Sequence, residues 1–106
     1  MKRSHLIFGL TLSLFTLMPL RAQIFNANAN CWYVPGVAYC STYNNTPYVL
    51  SCSVTVYGMT SSGTWINNTI TNVLYPGNDI KADVSAINQL LDPIVSAHGY
   101  ANCQIL

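Results

Sequence analysis

Four cysteines, at positions 31, 40, 52 and 103, constrain this 106-residue chain more than any other feature. All four lie beyond an N-terminal stretch with the order of a secretory signal: Lys2 and Arg3, the charge-free run from Leu6 to Leu20, then Ala22 at a cleavage edge. As a helix that run reaches ~22 Å, short of the ~30 Å hydrocarbon core. A removable signal over residues 1–22 is therefore expected, with no stable membrane insertion after its removal. An even cysteine count in a small exported chain reads as disulfides, which so small a domain needs because it buries little surface. Zinc would call for C-x₂₋₄-C pairs, whereas the gaps here are eight, eleven and fifty residues. No metal or cofactor is expected.

Pro35-Gly36 lies midway between Cys31 and Cys40. A turn there sets Val34 opposite Val37, Trp32 opposite Tyr39 and Cys31 opposite Cys40, with both sulfurs on one face of a hairpin. Against this, Pro-Gly favours a type II turn, which fits strand twist less well than a primed turn. Cys52 then pairs with Cys103. The chain-entropy model gives that long loop ~4 kcal/mol and the short one ~2.7 kcal/mol. Cys31–Cys103 with Cys40–Cys52 remains the alternative.

Without residues 1–22 the chain keeps 84 residues, with Lys81 set against Asp79, Asp83 and Asp92, a formal charge of −2. One lysine cannot displace the counterions of a polyanion, so nucleic acid is excluded as a partner. A surface this poor in charge also repels a second copy only weakly, which favours self-association.

Residues 23–30 (QIFNANAN) show no apolar period and are expected as a flexible arm ahead of a single domain over 31–106. Residues 48–57 alternate strictly, with Tyr48, Leu50, Cys52, Val54 and Val56 on the inner face, and Cys52 there suits an inter-sheet disulfide. Gly58 and the Ser61-Ser62-Gly63 cluster are expected to reverse the chain. A second strand over 64–75 is expected to break at a bulge near Asn67-Asn68. Pro76-Gly77-Asn78-Asp79 is a turn signal, and Ile80, Ala82, Val84 and Ala86 mark a third strand with Lys81 and Asp83 outward. Ile87, Leu90, Leu91 and Ile94 fall at helical spacing, predicting a short helix near 85–92 that Pro93 ends. A last hairpin is expected around His98-Gly99. The fold class expected is all-β, a small antiparallel sandwich stapled by two disulfides.

Cys52, Trp65 and Cys103 together resemble the Cys…Trp…Cys order of immunoglobulin-like sandwiches over roughly residues 48–106. The pattern departs from that family at Ala101, where a tyrosine would stand, and in the three residues that follow Cys103. What the resemblance implies is two sheets pinned across their core by Cys52–Cys103.

Titratable groups are scarce. Asp92, Ser96 and His98 are the one set that could be imagined as a triad, but no G-x-S-x-G elbow presents the serine, and no enzyme is expected. Trp32, Tyr33, Tyr43 and Trp65 are the candidate ligand contacts, since flat rings beside Asn and Thr can stack on sugars or anchor a protein. Against this, aromatics are ordinary strand residues, and both tryptophans are expected to pack near the disulfides. Asn44-Asn45-Thr46 and Asn67-Asn68-Thr69 are N-x-T sequons. The expectation is a secreted module, extracellular or periplasmic, that binds or adheres to a protein or carbohydrate. A self-assembling fibre subunit whose arm adds to a neighbour's sheet is the alternative. A small hydrolase or enzyme inhibitor ranks last.

Overall fold

A computed structural model describes residues 24–106; the signal expected over 1–22 lies outside them. Seven strands form two antiparallel sheets: β1 (Ile24–Ala27), β2 (Asn30–Val34), β3 (Val37–Tyr43), β4 (Leu50–Thr60), β5 (Trp65–Leu74), β6 (Asp79–Ser85) and β7 (Ile94–Ile105). The first sheet has the order β1-β7-β4-β5 and the second β2-β3-β6. Alternation in β4 sends Leu50, Cys52, Val54 and Val56 inward, where they meet Ala101 and Cys103 of β7 and Ala38, Cys40, Ile80 and Ala82 of the other sheet, whereas Tyr48, expected inward with them, precedes the strand and is exposed. The fold class and both disulfides agree with the sequence reading.

The Cys52–Cys103 disulfide has a different role from the one expected of it, while Cys31–Cys40 staples the hairpin as expected. Cys31 stands opposite Cys40 on the β2–β3 hairpin, and Cys52 stands opposite Cys103 on the neighbouring strands β4 and β7. In both pairs the Cα atoms are 4.1 Å apart, the close spacing of a cross-strand pair without ladder hydrogen bonds. Neither bond crosses from sheet to sheet. Likeness to the immunoglobulin pattern therefore ends at the two-sheet arrangement, because that family's disulfide joins opposite sheets.

The sheets approach closely because small residues line the contact. Gly58, read as part of the reversal, lies inside β4, where a Cβ on it would lie 3.2 Å from the Ala38 methyl. A Cβ on Gly99 would run into the Thr55 carbonyl and Cys40 Sγ, and would lie 3.2 Å from Cys31 Sγ. This explains the glycine in the middle of β7. His98-Gly99 does not turn the chain, and the expected last hairpin is one continuous strand from Ile94 to Ile105. Its ladder with β4 shifts register between Met59 and Thr60, leaving Val95 as the extra residue.

Three other expectations change. Residues 24–27, read as a flexible arm, pair with β7 from Ile24↔Gln104 to Ala27↔Ala101. Strand β5 keeps unbroken register with β4, without a bulge. Asn68 and Asn72 look out of pattern because they sit on an edge: Asn68 Oδ1 accepts from Thr69 N at 3.0 Å and Asn72 Oδ1 from Val73 N at 2.9 Å, while Asn68 Nδ2 donates to the Asp83 carbonyl of β6 at 2.9 Å. The described residues contain no helix, and 86–93 form a loop. Its ends bind the β2–β3 turn, Ala86 N to Gly36 O at 2.8 Å and Ile94 N to Pro35 O at 2.9 Å.

The two Pro-Gly pairs resolve differently. At Pro76-Gly77, Gly77 has φ +84° and Asn78 N donates to Tyr75 O at 3.1 Å, as a type II turn requires. Gly36 has no positive φ, so the hairpin turn at Pro35-Gly36 is not type II.

Candidate functional site

The interior is aliphatic, built of Ala, Val, Leu and Ile with the cystines, and no described aromatic ring belongs to the buried core; Trp32, Tyr39, Tyr57, Trp65 and Tyr100 stand on the outer faces of the sheets. Strand register then decides which rings meet. On the four-stranded sheet the outward residues of β5, β4 and β7 line up in rows: Trp65, Met59 and Ser96; Asn67, Tyr57 and His98; Thr69, Thr55 and Tyr100; Thr71, Ser53 and Asn102. Trp65 and His98 have ring centroids 6.0 Å apart at 45°, and Tyr57 and Tyr100 6.2 Å apart at 38°. A hydrogen bond with the Tyr100 phenol, with repulsion between the two phenolates next, holds the Tyr57 pKa above its ordinary value.

Next to these rings runs a neutral hydroxyl strip. Ser53 Oγ and Thr71 Oγ1 are 2.7 Å apart, and Thr55 Oγ1 and Thr69 Oγ1 2.9 Å. The outward residues of β4, β5 and β7 include no Asp, Glu, Lys or Arg. From Trp65 to Val73 the strip spans about 27 Å at ~3.4 Å per residue. Chemically the surface offers ring faces for C–H groups and hydroxyls and amides for polar partners, with no charge to attract an ion.

The four aromatics singled out from sequence are not brought together. Trp65, half exposed, belongs to the face just described. Trp32 is on the opposite outer face, stacked on Tyr39 at 5.2 Å and 20°, with Lys81 Nζ 5.1 Å from the Tyr39 centroid. Both tryptophans thus point away from the disulfides instead of packing on them. Tyr33 is exposed at the β2 edge near the hairpin turn. Tyr43 lines a cleft of about 500 Å³ at the far end, with Asn28, Asn30, Asn45 and Asp79. Tyr57, His98 and Tyr100 were missed, although Ala97, Gly99, Ala101, Cys103 and Ile105 alternate with Ser96, His98, Tyr100, Asn102 and Gln104 straight through the supposed turn.

The imagined triad is not assembled. Asp92 accepts from Ser62 N at 2.8 Å, Ser62 Oγ at 2.9 Å and Ser61 Oγ at 3.1 Å. Ser96 Oγ is buried without a hydrogen-bond partner among the described residues. The sequons differ as well. Asn67 is exposed, whereas Asn44 is buried and donates from Nδ2 to the Tyr48 and Leu74 carbonyls at 2.7 and 2.9 Å.

Two intramolecular disulfides place the folded chain in a non-reducing environment. No protein-family model, curated protein or solved structure matches the chain.

Proposed function

We propose that this is an exported, non-catalytic binding module that holds an extended, neutral glycan on the outer face of its four-stranded sheet. The observation that carries the reading is where the aromatic rings stand. Trp65, Tyr57, Tyr100 and His98 stabilise no core, yet they gather on one surface that has no Asp, Glu, Lys or Arg, beside a hydroxyl strip. A pyranose presents an apolar C–H face to such rings and its hydroxyls to Ser, Thr and Asn. The elongated strip suits a chain of sugars better than a single one. Export rests on the signal pattern of residues 1–22 together with the oxidised cysteines.

Depletion of the processed chain by insoluble neutral polysaccharides, followed by titration with soluble fragments of any that bind, tests the reading. Trp65→Ala and Tyr100→Ala should each weaken binding by about tenfold or more, the effect of losing one well-used aromatic contact. Trp32→Ala should not. If Tyr43→Ala removed binding while Trp65→Ala left it intact, the site would be the far cleft. A chain that bound no polysaccharide would end the proposal.

A further inference from the structure

The loop between β6 and β7 carries a feature that neither the core nor the aromatic face explains. Of the four apolar residues read as a helix stripe, only Ile94 is buried; Ile87, Leu90 and Leu91 are 95, 86 and 82 % exposed. Exposure this complete in three neighbouring aliphatic side chains is unusual on a small domain. The loop is also well tied. Its ends hold the β2–β3 turn, Ser61 N donates to Pro93 O at 2.9 Å, and Asp92 is bound to Ser61 and Ser62 of the β4–β5 turn. Within it, Asn88 Oδ1 accepts from Leu90 N at 3.2 Å and Leu91 N at 3.1 Å, and Asn88 O from Asp92 N at 2.8 Å.

We propose that this end of the sandwich is a peripheral membrane contact, with Ile87, Leu90 and Leu91 inserting into the interface of a zwitterionic phospholipid leaflet. Several observations favour lipid as the occupant. The Leu90, Leu91 and Asp92 N–H groups already have partners in Asn88, so these three can leave water without being stranded, a requirement for entering hydrocarbon. Three side chains offer far less than the ~800 Å² per partner that a specific protein interface needs. A fluid leaflet demands no matching shape. Charge selects the headgroup: the loop and the β2–β3 turn contain no Lys or Arg, and the loop's one carboxylate, Asp92, is held at its base. An anionic surface would gain nothing here. Exposed Tyr33 and Val34 flank the turn to which the loop is tied, an amphipathic ring and an apolar side chain suited to headgroup depth. Such binding is shallow and reversible. It uses none of the rings assigned to glycan and stands or falls separately from that reading.

The test is co-sedimentation of the processed, oxidised chain with phosphatidylcholine vesicles over a lipid titration. The wild-type chain should partition to the vesicles, and Ile87→Asp, Leu90→Asp and Leu91→Asp should each lower the partition coefficient by about tenfold or more. Thermal midpoints of the variants should match the wild type, since the side chains pack on nothing. Adding phosphatidylserine should not strengthen binding. The proposal is overturned if the wild type stays in the supernatant, or if the variants sediment as it does. It is overturned equally if the wild type runs as a dimer that Leu90→Asp splits, which would assign the tips to a second copy of the chain.

Discussion

Asn44 offers the sharpest test of what holds the far end of this fold. Its amide is 1 % exposed and uses all its capacity: Nδ2 donates to Tyr48 O and Leu74 O, and Oδ1 accepts from Thr46 N at 2.9 Å and Thr46 Oγ1 at 2.6 Å. Its backbone is engaged too, with Asn44 N donating to Asn78 O and Asn44 O accepting from Gly77 N, both at 2.9 Å. The side chain thus joins the β3–β4 loop to the end of β5, and the backbone of the same residue joins it to the type II turn. Asn44→Ala deletes four hydrogen bonds. At ~0.5–1.5 kcal/mol each the loss is about 4 kcal/mol. That is a large part of the ~5–15 kcal/mol that a domain of this kind has. Urea unfolding of the oxidised chain measures it, and Thr46→Val, which removes only hydroxyl bonds near the surface, should cost about 1 kcal/mol. Asn44→Asp keeps the acceptor but turns an oxygen toward the Tyr48 and Leu74 carbonyls, so at pH 7 it should be no more stable than Asn44→Ala. A loss below ~1 kcal/mol for Asn44→Ala, or a wild-type midpoint for Asn44→Asp, would refute the argument.

Asn68 and Asn72 should matter for solubility more than for stability. Replacing both by Ala frees the Thr69 and Val73 N–H groups on the β5 edge and cuts the bridge to β6, so aggregation followed by light scattering should quicken while the urea midpoint changes little. Asp92 carries a pH signature. The Ser62 backbone N–H, more than the serine hydroxyls, holds its carboxyl below the ordinary carboxylate pKa. Its stabilising effect is therefore present above the unfolded value of ~3.9 and lost as pH falls through the lower folded value. Asp92→Asn should lie below the wild type in urea midpoint at pH 7 and approach it near pH 2; a pH-independent gap would show that the carboxylate's charge is irrelevant.

What could be read from sequence was whatever depends on local chemistry. Pro35-Gly36 between two cysteines sets the hairpin register, and the alternation of β4 identifies the inner face, because both signals act within a few residues. The failures share a cause in long-range contacts. Gly99 looked like part of a turn, but it is glycine because a disulfide from the other sheet presses on it. Residues 85–92 had helical spacing, but Asn88 captures the following N–H groups and the Pro35 and Gly36 carbonyls take the loop ends, so the stripe never forms. Asn68 and Asn72 looked like a break because nothing in sequence says that β5 is an edge. Trp65 was legible as a candidate contact. Its partner His98, and Tyr100 beyond it on the same face, were not, since their face depends on β7 running through Gly99.

The position of the aromatics follows from the same packing. Where Gly58 meets Ala38 and Gly99 meets a cystine, the gap between the sheets has no room for a ring, so Trp and Tyr at strand positions must face outward. A core this poor in large side chains gains little from burial, and the two disulfides supply what a bulkier interior would otherwise provide. The outward rings are therefore free of any duty to the fold, and this sharpens the glycan experiment. If Trp65 were a structural residue, Trp65→Ala would lower both the urea midpoint and binding. If it is a contact, the midpoint should stay within ~0.5 kcal/mol of the wild type, as for surface positions, while binding falls by about tenfold. Only that separation assigns the ring to a ligand, and a joint loss would return it to the fold.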